Sequence, residues 1–242
     1  MKYYYKIFGY EVNFARYLPA FFSVLTIAIV FQISREIDID KDSYLLAAFL
    51  TSFNIFLISY AQEQRLYSIL IFFVLTSILF FLRLQKKNPD KIDLIFFTIT
   101  SVFLIILHLF SVFIIFSFIL YQLLIFLQKK EKFFSLNLVL SFLSILVLIY
   151  YIPYVLSFSN NLDSNLDVNY SWNKNPSLKF LTNFYFSNFF GSRLLGLIFL
   201  TVFFSLIFFG RKFFVKLEKI AVFLIVIISS YLIPITFGFL FE

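Results

Sequence analysis

The stretch SYAQEQRLYS places four strongly polar residues, Gln62, Glu63, Gln64 and Arg65, between two long apolar runs. The guanidinium of Arg65 can pair with a phosphate through its forked donors. The carboxylate of Glu63 can orient such a group or accept hydroxyl protons from a sugar. The stretch lacks the Gly, Pro, Asn and Asp that ordinary turns prefer. Two interpretations follow: a polar turn with no further role, or a site that grips an anionic headgroup.

Other polar residues accompany this stretch. Tyr60 and Tyr67 bracket it and supply two hydroxyls at the same depth. Arg16 heads the first apolar run, where it either extends to the membrane interface or shares a phosphate with Arg65. His108 is the single histidine of the chain, and it either bonds a backbone carbonyl or contacts a hydroxyl or phosphate.

Composition excludes several classes of site. Of the 242 residues, 62% are hydrophobic and 14% charged, against about 25% charged in soluble domains, which indicates a polytopic membrane protein. The absence of Cys excludes disulfides and thiolate sites, and a single His disfavours a histidine-based metal cluster. We therefore expect no cofactor and assign no metal ligand, and a divalent metal stays an open alternative. The net charge of +7 reflects basic residues in short loops, a topology signal, and we expect no nucleic-acid partner.

The elements that must position these residues are membrane-spanning helices, each of which needs about 20 mainly apolar residues. The pattern predicts an all-α transmembrane bundle that forms a single domain over residues 1–242. The run from 92 to 128 is too long for one crossing, so a tight hairpin is predicted at His108 and Ser111. The eight predicted spans cover 17–34, 43–61, 66–84, 92–108, 110–128, 133–156, 192–210 and 220–240.

Charge predicts the orientation of the bundle. Thirteen Lys and Arg residues fall on one side of the predicted spans and seven on the other, and the richer side is cytoplasmic by the positive-inside rule. The polar turn, His108 and the loop 157–191 therefore face outward. In that loop, the residues from Pro176 onward have helical spacing, which predicts a short helix in the interface.

The order of three motifs resembles the membrane glycosyltransferases of the GT-C class. The motifs are RYLP at 16–19, AQEQRLY at 61–67 and LHL at 107–109. They are similar to the Arg-Leu-Pro helix start, the Ser-Gln-Glu-(Ala)-Arg-x-Tyr turn and the Thr-His-Tyr-like hairpin of bacterial relatives of protein O-mannosyltransferases and aminoarabinose transferases. RYLP is one residue longer than the family motif. The resemblance covers roughly residues 7 to 128.

This resemblance implies a GT-C-like fold and an enzyme of the bacterial plasma (inner) membrane with its active face outward. Such an enzyme transfers a sugar from a polyprenyl-phosphate donor to a lipid, glycan or protein acceptor among the membrane lipids. The residues that match the family's donor site are Gln62, Glu63, Arg65, Tyr67, Arg16 and His108.

The family's catalytic Asp or Glu lies in the first outer loop, and here that position precedes Met1. Glu11 is the one carboxylate in the remaining part of the loop, and it matches no family residue. We therefore expect a fragment that lacks the N-terminal catalytic loop and the C-terminal part, and its catalytic residue is unknown.

Two other functions remain open. One is a transporter or flippase for a lipid or polar solute, which should contain polar or broken helices near mid-membrane. The predicted spans are almost uninterrupted Phe, Ile and Leu, a pattern that disfavours transport. The other is a noncatalytic membrane subunit.

Overall fold

The computed structural model describes residues 12–37, 41–63, 65–86, 88–108, 111–129, 134–162, 192–198, 200–201 and 225. Every regular element within these ranges is a helix, and they contain no strand, which confirms the predicted all-α class for this part of the chain. The longer helices are α1 (Val12–Glu36), α2 (Lys41–Ser52), α3 (Ile55–Gln62), α4 (Tyr67–Leu84), α5 (Lys91–Leu107), α6 (Ser111–Lys129) and α7 (Phe134–Leu162).

Two of the described helices are long and apolar enough to cross a membrane, namely Arg16–Glu36 and Tyr67–Leu84. Helices α2 and α3 together form a third candidate, bent by 47°. Helix α5 has 17 residues, which rise about 26 Å at 1.5 Å per residue, slightly less than the hydrocarbon thickness of about 30 Å.

Contacts divide the chain into two units. Among the described residues, the first unit contains those up to Thr100 and those between 192 and 201, and the second contains those from Ser101 to Leu162 and residue 225. The division falls within α5.

In the first unit, α1 packs most extensively against α4. The rings of Phe22 and Phe72 meet edge to face at 5.1 Å, and Arg83 Nε lies 3.0 Å from Glu36 Oε1 farther along both helices. Because the two contacts occur in the same chain order, α1 and α4 run parallel. The chain returns between them through α2 and α3, and Phe81 at the α4 core is fully buried.

The second predicted span, 43–61, is broken rather than continuous. Asn54 ends the break and caps α3, since its side-chain oxygen accepts a hydrogen bond from Leu57 N at 3.1 Å. Asn54 N donates to Thr51 O at 3.2 Å, and the Thr51 hydroxyl donates to Ala47 O at 2.7 Å. Side chains and local bonds thus satisfy backbone groups that a break exposes. The predicted span 43–61 is therefore two helices, which together still form one candidate span.

In the second unit, α6 packs against α7. Phe118 and Leu143 are fully buried, and the Tyr151 hydroxyl donates to Ile105 O. The four-residue separation between Lys129 and Phe134 makes α6 and α7 an antiparallel hairpin.

Three boundaries differ from the sequence prediction or lie beyond the described residues. Helix α1 begins at Val12 rather than near 17, which puts Pro19 inside the helix instead of in its first turn. Helix α7 continues to Leu162, six residues into the predicted loop 157–191, because propagation of a formed helix adds one hydrogen bond per residue. The predicted interfacial helix, residues 199 and 202–210 of the predicted span 192–210, and all of the predicted span 220–240 except residue 225 lie outside the described residues.

Candidate functional site

The polar turn lies between α3 and α4, where the sequence predicts a turn. Helix α3 ends at Gln62, Glu63 follows in an extended conformation, and α4 begins at Tyr67. Gln64 lies outside the described residues. We call Gln62, Glu63, Arg65 and Tyr67 the turn cluster.

Two contacts hold the ends of this turn together. The Ser68 hydroxyl donates to Tyr60 O at 2.8 Å, which joins the first turn of α4 to the last turn of α3. The rings of Tyr60 and Tyr67 meet at 5.0 Å with an interplanar angle of 72°, an edge-to-face geometry that stabilises aromatic pairs. These contacts hold the end of α3 against the start of α4, and Glu63 and Arg65 lie in the short segment between them.

The two charged side chains of the turn are mutually close but weakly engaged. Arg65 Nε lies 3.6 Å from Glu63 Oε2, and the side chains are 69% and 43% exposed, respectively. Glu63 Oε2 itself is shielded from solvent and accepts no hydrogen bond among the described residues. Exposed pairs of this kind contribute about 0–1 kcal/mol, so the guanidinium of Arg65 is available to another anion.

The N-terminus of α4 adds to the positive potential beside Arg65. Leu66 is the N-cap residue, and it makes no side-chain capping bond. Helix N-termini carry about half a positive charge and present N–H groups that bind phosphates. The turn thus combines a cationic side chain with an uncapped helix start.

Arg16 lies at the same level of the first unit as this turn. Phe22 contacts Phe72, and these residues follow Arg16 and Leu66, respectively, by the same six positions in parallel helices. The Arg16 side chain is exposed. Arg16, near the N-terminal end of α1, therefore lies at the same height along the parallel helices as Leu66 at the start of α4.

His108 occupies the predicted break between two helices, since α5 ends at Leu107 and α6 begins at Ser111. Ser111 N donates to His108 O at 3.0 Å, which closes the turn locally. Burial lowers the pKa of the His108 imidazole below its ordinary value of 6.5, because a buried cation loses hydration. His108 belongs to the second unit, whereas the turn cluster and Arg16 belong to the first.

A second polar cluster, absent from the sequence prediction, joins the C-terminal ends of α1 and α4 to the start of α5. We call Glu36, Arg83, Lys86 and Asp93 the ion-pair cluster. Glu36 Oε1 accepts from Arg83 Nε at 3.0 Å, Glu36 Oε2 lies 2.7 Å from Lys86 Nζ, and Arg83 Nη1 lies 3.6 Å from Asp93 Oδ1.

The ion-pair cluster is more enclosed than the turn cluster. The side chains of Glu36 and Arg83 are 16% and 28% exposed, and the Arg83 guanidinium also lies 5.6 Å from the centre of the Phe80 ring. The signal in the sequence was Glu36, an acid at the end of an apolar run, which requires a nearby partner. Among the described residues, no group of three or more His, Asp or Glu side chains could hold a metal ion.

Comparison of this chain with family models, with characterised proteins and with solved structures finds no match.

Proposed function

We propose that this chain is a GT-C-like membrane glycosyltransferase, or a fragment of one. In this proposal it belongs to an eight-span bundle in a bacterial plasma membrane, with the turn cluster on the outer face. The substrate is a polyprenyl-phosphate-linked sugar, and a lipid, glycan or protein accepts the sugar. The turn cluster binds the donor's phosphate and sugar.

The observation that carries the proposal is the exposed Arg65 at the start of α4. Its guanidinium is 69% exposed and contacts Glu63 only at 3.6 Å, so it can turn its two-donor edge to a phosphate. The uncapped α4 N-terminus favours the same negative charge. A phosphate that leaves during glycosyl transfer needs this kind of fixed positive environment.

The neighbouring residues fit roles around that phosphate. Arg16, level with the turn by helix register, supplies a second cation. Glu63 accepts hydrogen bonds from sugar hydroxyls, and Gln62 can accept from them or donate to them. Tyr67 fixes the turn through its contact with Tyr60.

His108 and the base that removes the acceptor proton complete the proposal. The hydroxyl or phosphate contact of His108 stays a prediction from the sequence, since an imidazole can both donate and accept and His108 belongs to the other unit. We assign no residue of this chain as the base.

The phosphate role is tested by the binding of polyprenyl phosphate to the purified chain in nanodiscs. Polyprenol, which lacks the phosphate, is the matched ligand. We expect the wild-type protein to prefer the phosphate at least tenfold, since charge-assisted hydrogen bonds contribute about 1.5–3 kcal/mol. Arg65→Ala should remove this preference and leave the unfolding curve unchanged.

Arg35→Ala is the control, because Arg35 is also exposed but lies at the opposite end of α1. It should retain the preference. Equal loss in both variants, or full preference in Arg65→Ala, would refute the phosphate role. Sugar transfer from a polyprenyl-phosphate-linked mannose to membrane acceptors, measured with and without the chain, then tests the enzymatic part.

Transport is the second candidate, and the break between α2 and α3 favours it. Discontinuous helices form the substrate and ion sites of many transporters, and the 47° bend here removes the objection that the spans are unbroken. Two observations disfavour transport. Asn54 already accepts a hydrogen bond from Leu57 N at the break, and the described residues 51–54 include no charged side chain that could bind an ion.

Proteoliposomes separate the two candidates. A transporter should move a fluorescent polyprenyl-phosphate analogue between leaflets at a rate that Asn54→Ala changes. A transferase should leave that rate at the level of protein-free liposomes.

A further inference from the structure

A groove between α6 and α7 in the second unit contains a buried polar group without a partner. The groove has a volume of about 310 Å³ and is lined by Ile119, Gln122, Leu123, Phe126, Leu140, Ser141 and Ser144. Gln122 is only 6% exposed, and its Oε1 accepts no hydrogen bond from the described residues. Neither the turn cluster nor His108 lines this groove.

The remaining groove residues do not supply the missing donor. The Ser144 hydroxyl donates to Leu140 O at 2.8 Å, which uses its proton. Gln122 lies seven residues before Lys129, about 10 Å along α6, and therefore well inside the apolar part of the hairpin. An amide oxygen without a donor in apolar surroundings is costly, so a ligand that donates a hydrogen bond to it is favoured.

The walls of the groove are mostly apolar, which suits an apolar ligand that carries a single polar group. Its volume is at the lower end of the range for small-ligand sites. Leu123 and Phe126 at its edge are exposed apolar side chains, and Leu140 on the other helix is buried. A single aliphatic chain fits these walls.

We propose that this groove binds a single aliphatic chain that carries a hydroxyl, with that hydroxyl bonded to the Gln122 amide. A hydroxyl supplies the donor that Gln122 Oε1 lacks. The acyl chains of ordinary phospholipids carry no donor and leave Gln122 unpartnered. The proposal is independent of the donor phosphate, since it concerns the other unit.

Photolabelling of the full chain in phosphatidylcholine nanodiscs tests this site. The probe is dodecanol with a diazirine in its chain, and the matched probe is the corresponding dodecyl methyl ether, which accepts but cannot donate. We expect about tenfold more labelling of peptides from α6 and α7 by the alcohol, the selectivity of one buried hydrogen bond. Equal labelling by the two probes would overturn the proposal.

Variants locate the selectivity. Gln122→Leu should label equally with both probes and keep the ether signal, because the groove remains apolar. Gln32→Leu, a control on α1 in the other unit, should keep the tenfold ratio. A ratio that persists in Gln122→Leu would overturn the proposal.

A competition experiment on the wild-type protein needs no variant to fold. Unlabelled dodecanol should displace the alcohol probe at about one tenth of the concentration that unlabelled dodecyl methyl ether requires. Equal concentrations for displacement would also overturn the proposal.

Discussion

The two charged clusters of the first unit differ in how fully their charges are paired. In the ion-pair cluster, both oxygens of Glu36 are engaged, at 3.0 Å by Arg83 and at 2.7 Å by Lys86. In the turn cluster, Arg65 and Glu63 approach only to 3.6 Å, and one Glu63 oxygen accepts no hydrogen bond within the described chain. The carboxylate of the first cluster is fully engaged, whereas the second cluster leaves the exposed donors of Arg65 available.

This difference accords with the roles proposed for the two clusters. Charges that are paired and partly buried, as in the ion-pair cluster, stabilise helix ends. Charges that are exposed and weakly paired add little to stability, and for the turn cluster the proposed role is binding. The following predictions test this difference, from the largest effect to the smallest.

Glu36→Ala should lower the free energy of unfolding by about 3 kcal/mol, because it leaves two cations without their shared carboxylate. Denaturant titration in detergent micelles measures the change. Glu63→Ala is the matched control and should cost less than about 1 kcal/mol. Equal losses in the two variants would show that the clusters do not differ in the way proposed.

Substitution by lysine should have different effects at the two arginines near the ends of α4, Arg65 and Arg83. One substitution should change ligand binding and the other should change stability. Arg65→Lys keeps the charge but loses the planar fork, so it should weaken polyprenyl phosphate binding by about fivefold and leave unfolding unchanged. Arg83→Lys cannot reach Glu36 and Asp93 in the same geometry and should lose about 1 kcal/mol of stability with phosphate binding intact. Binding and unfolding curves on both variants check the exchange of effects, and identical profiles would contradict it.

Asn54→Ala should cost about 1 kcal/mol, the usual effect of removing an N-cap side chain. The loss acts on α3, which supports the turn cluster, and it should leave the ion-pair cluster intact. Asn54→Ser, which can still cap, should recover most of the stability. If Asn54→Ser is as unstable as Asn54→Ala, the cap is not the source of the effect.

The smallest expected effect is the change in the free energy of unfolding that His108 causes when the pH is lowered. Its pKa is lowered by burial in the folded state, so the unfolded chain binds a proton first as the pH falls. Its contribution to stability is therefore present above about pH 6.5 and is lost as the pH falls through the lower folded pKa. Unfolding titrations between pH 8 and 5.5 should show this small loss in the wild-type protein and a weaker pH dependence in His108→Asn. An unchanged dependence would assign it to other groups.

The sequence predicted those features that depend on local polarity. The apolar runs predicted the helices of the described chain apart from the break between α2 and α3. SYAQEQRLYS predicted the turn between α3 and α4, and His108 with Ser111 predicted the break between α5 and α6. Each of these is visible because charged or polar residues interrupt a long apolar run. The GT-C-like fold and the donor site remain predictions.

Features that depend on distant partners could not be predicted. Glu36 and Arg83 are 47 positions apart. Arg83 enters only the count of basic residues that predicts orientation, and that count does not include acidic residues such as Glu36. The break at Asn54 contains no Gly or Pro, and the polar residues Thr51, Ser52 and Asn54 lie within an otherwise apolar run. Gln122 gave no signal, since its isolation is a property of the α6–α7 packing.

The bend between α2 and α3 has a consequence for the bilayer thickness that the proposed bundle would fit. A straight helix over residues 41–62 would rise about 33 Å, whereas the 18 residues of α4 rise about 27 Å. If the bent pair is one span, its 47° bend brings its height closer to that of α4, and both would match a hydrocarbon layer slightly thinner than the usual 30 Å. Thicker bilayers should therefore favour a straighter α2–α3 segment, which couples lipid composition to the position of the turn that follows it.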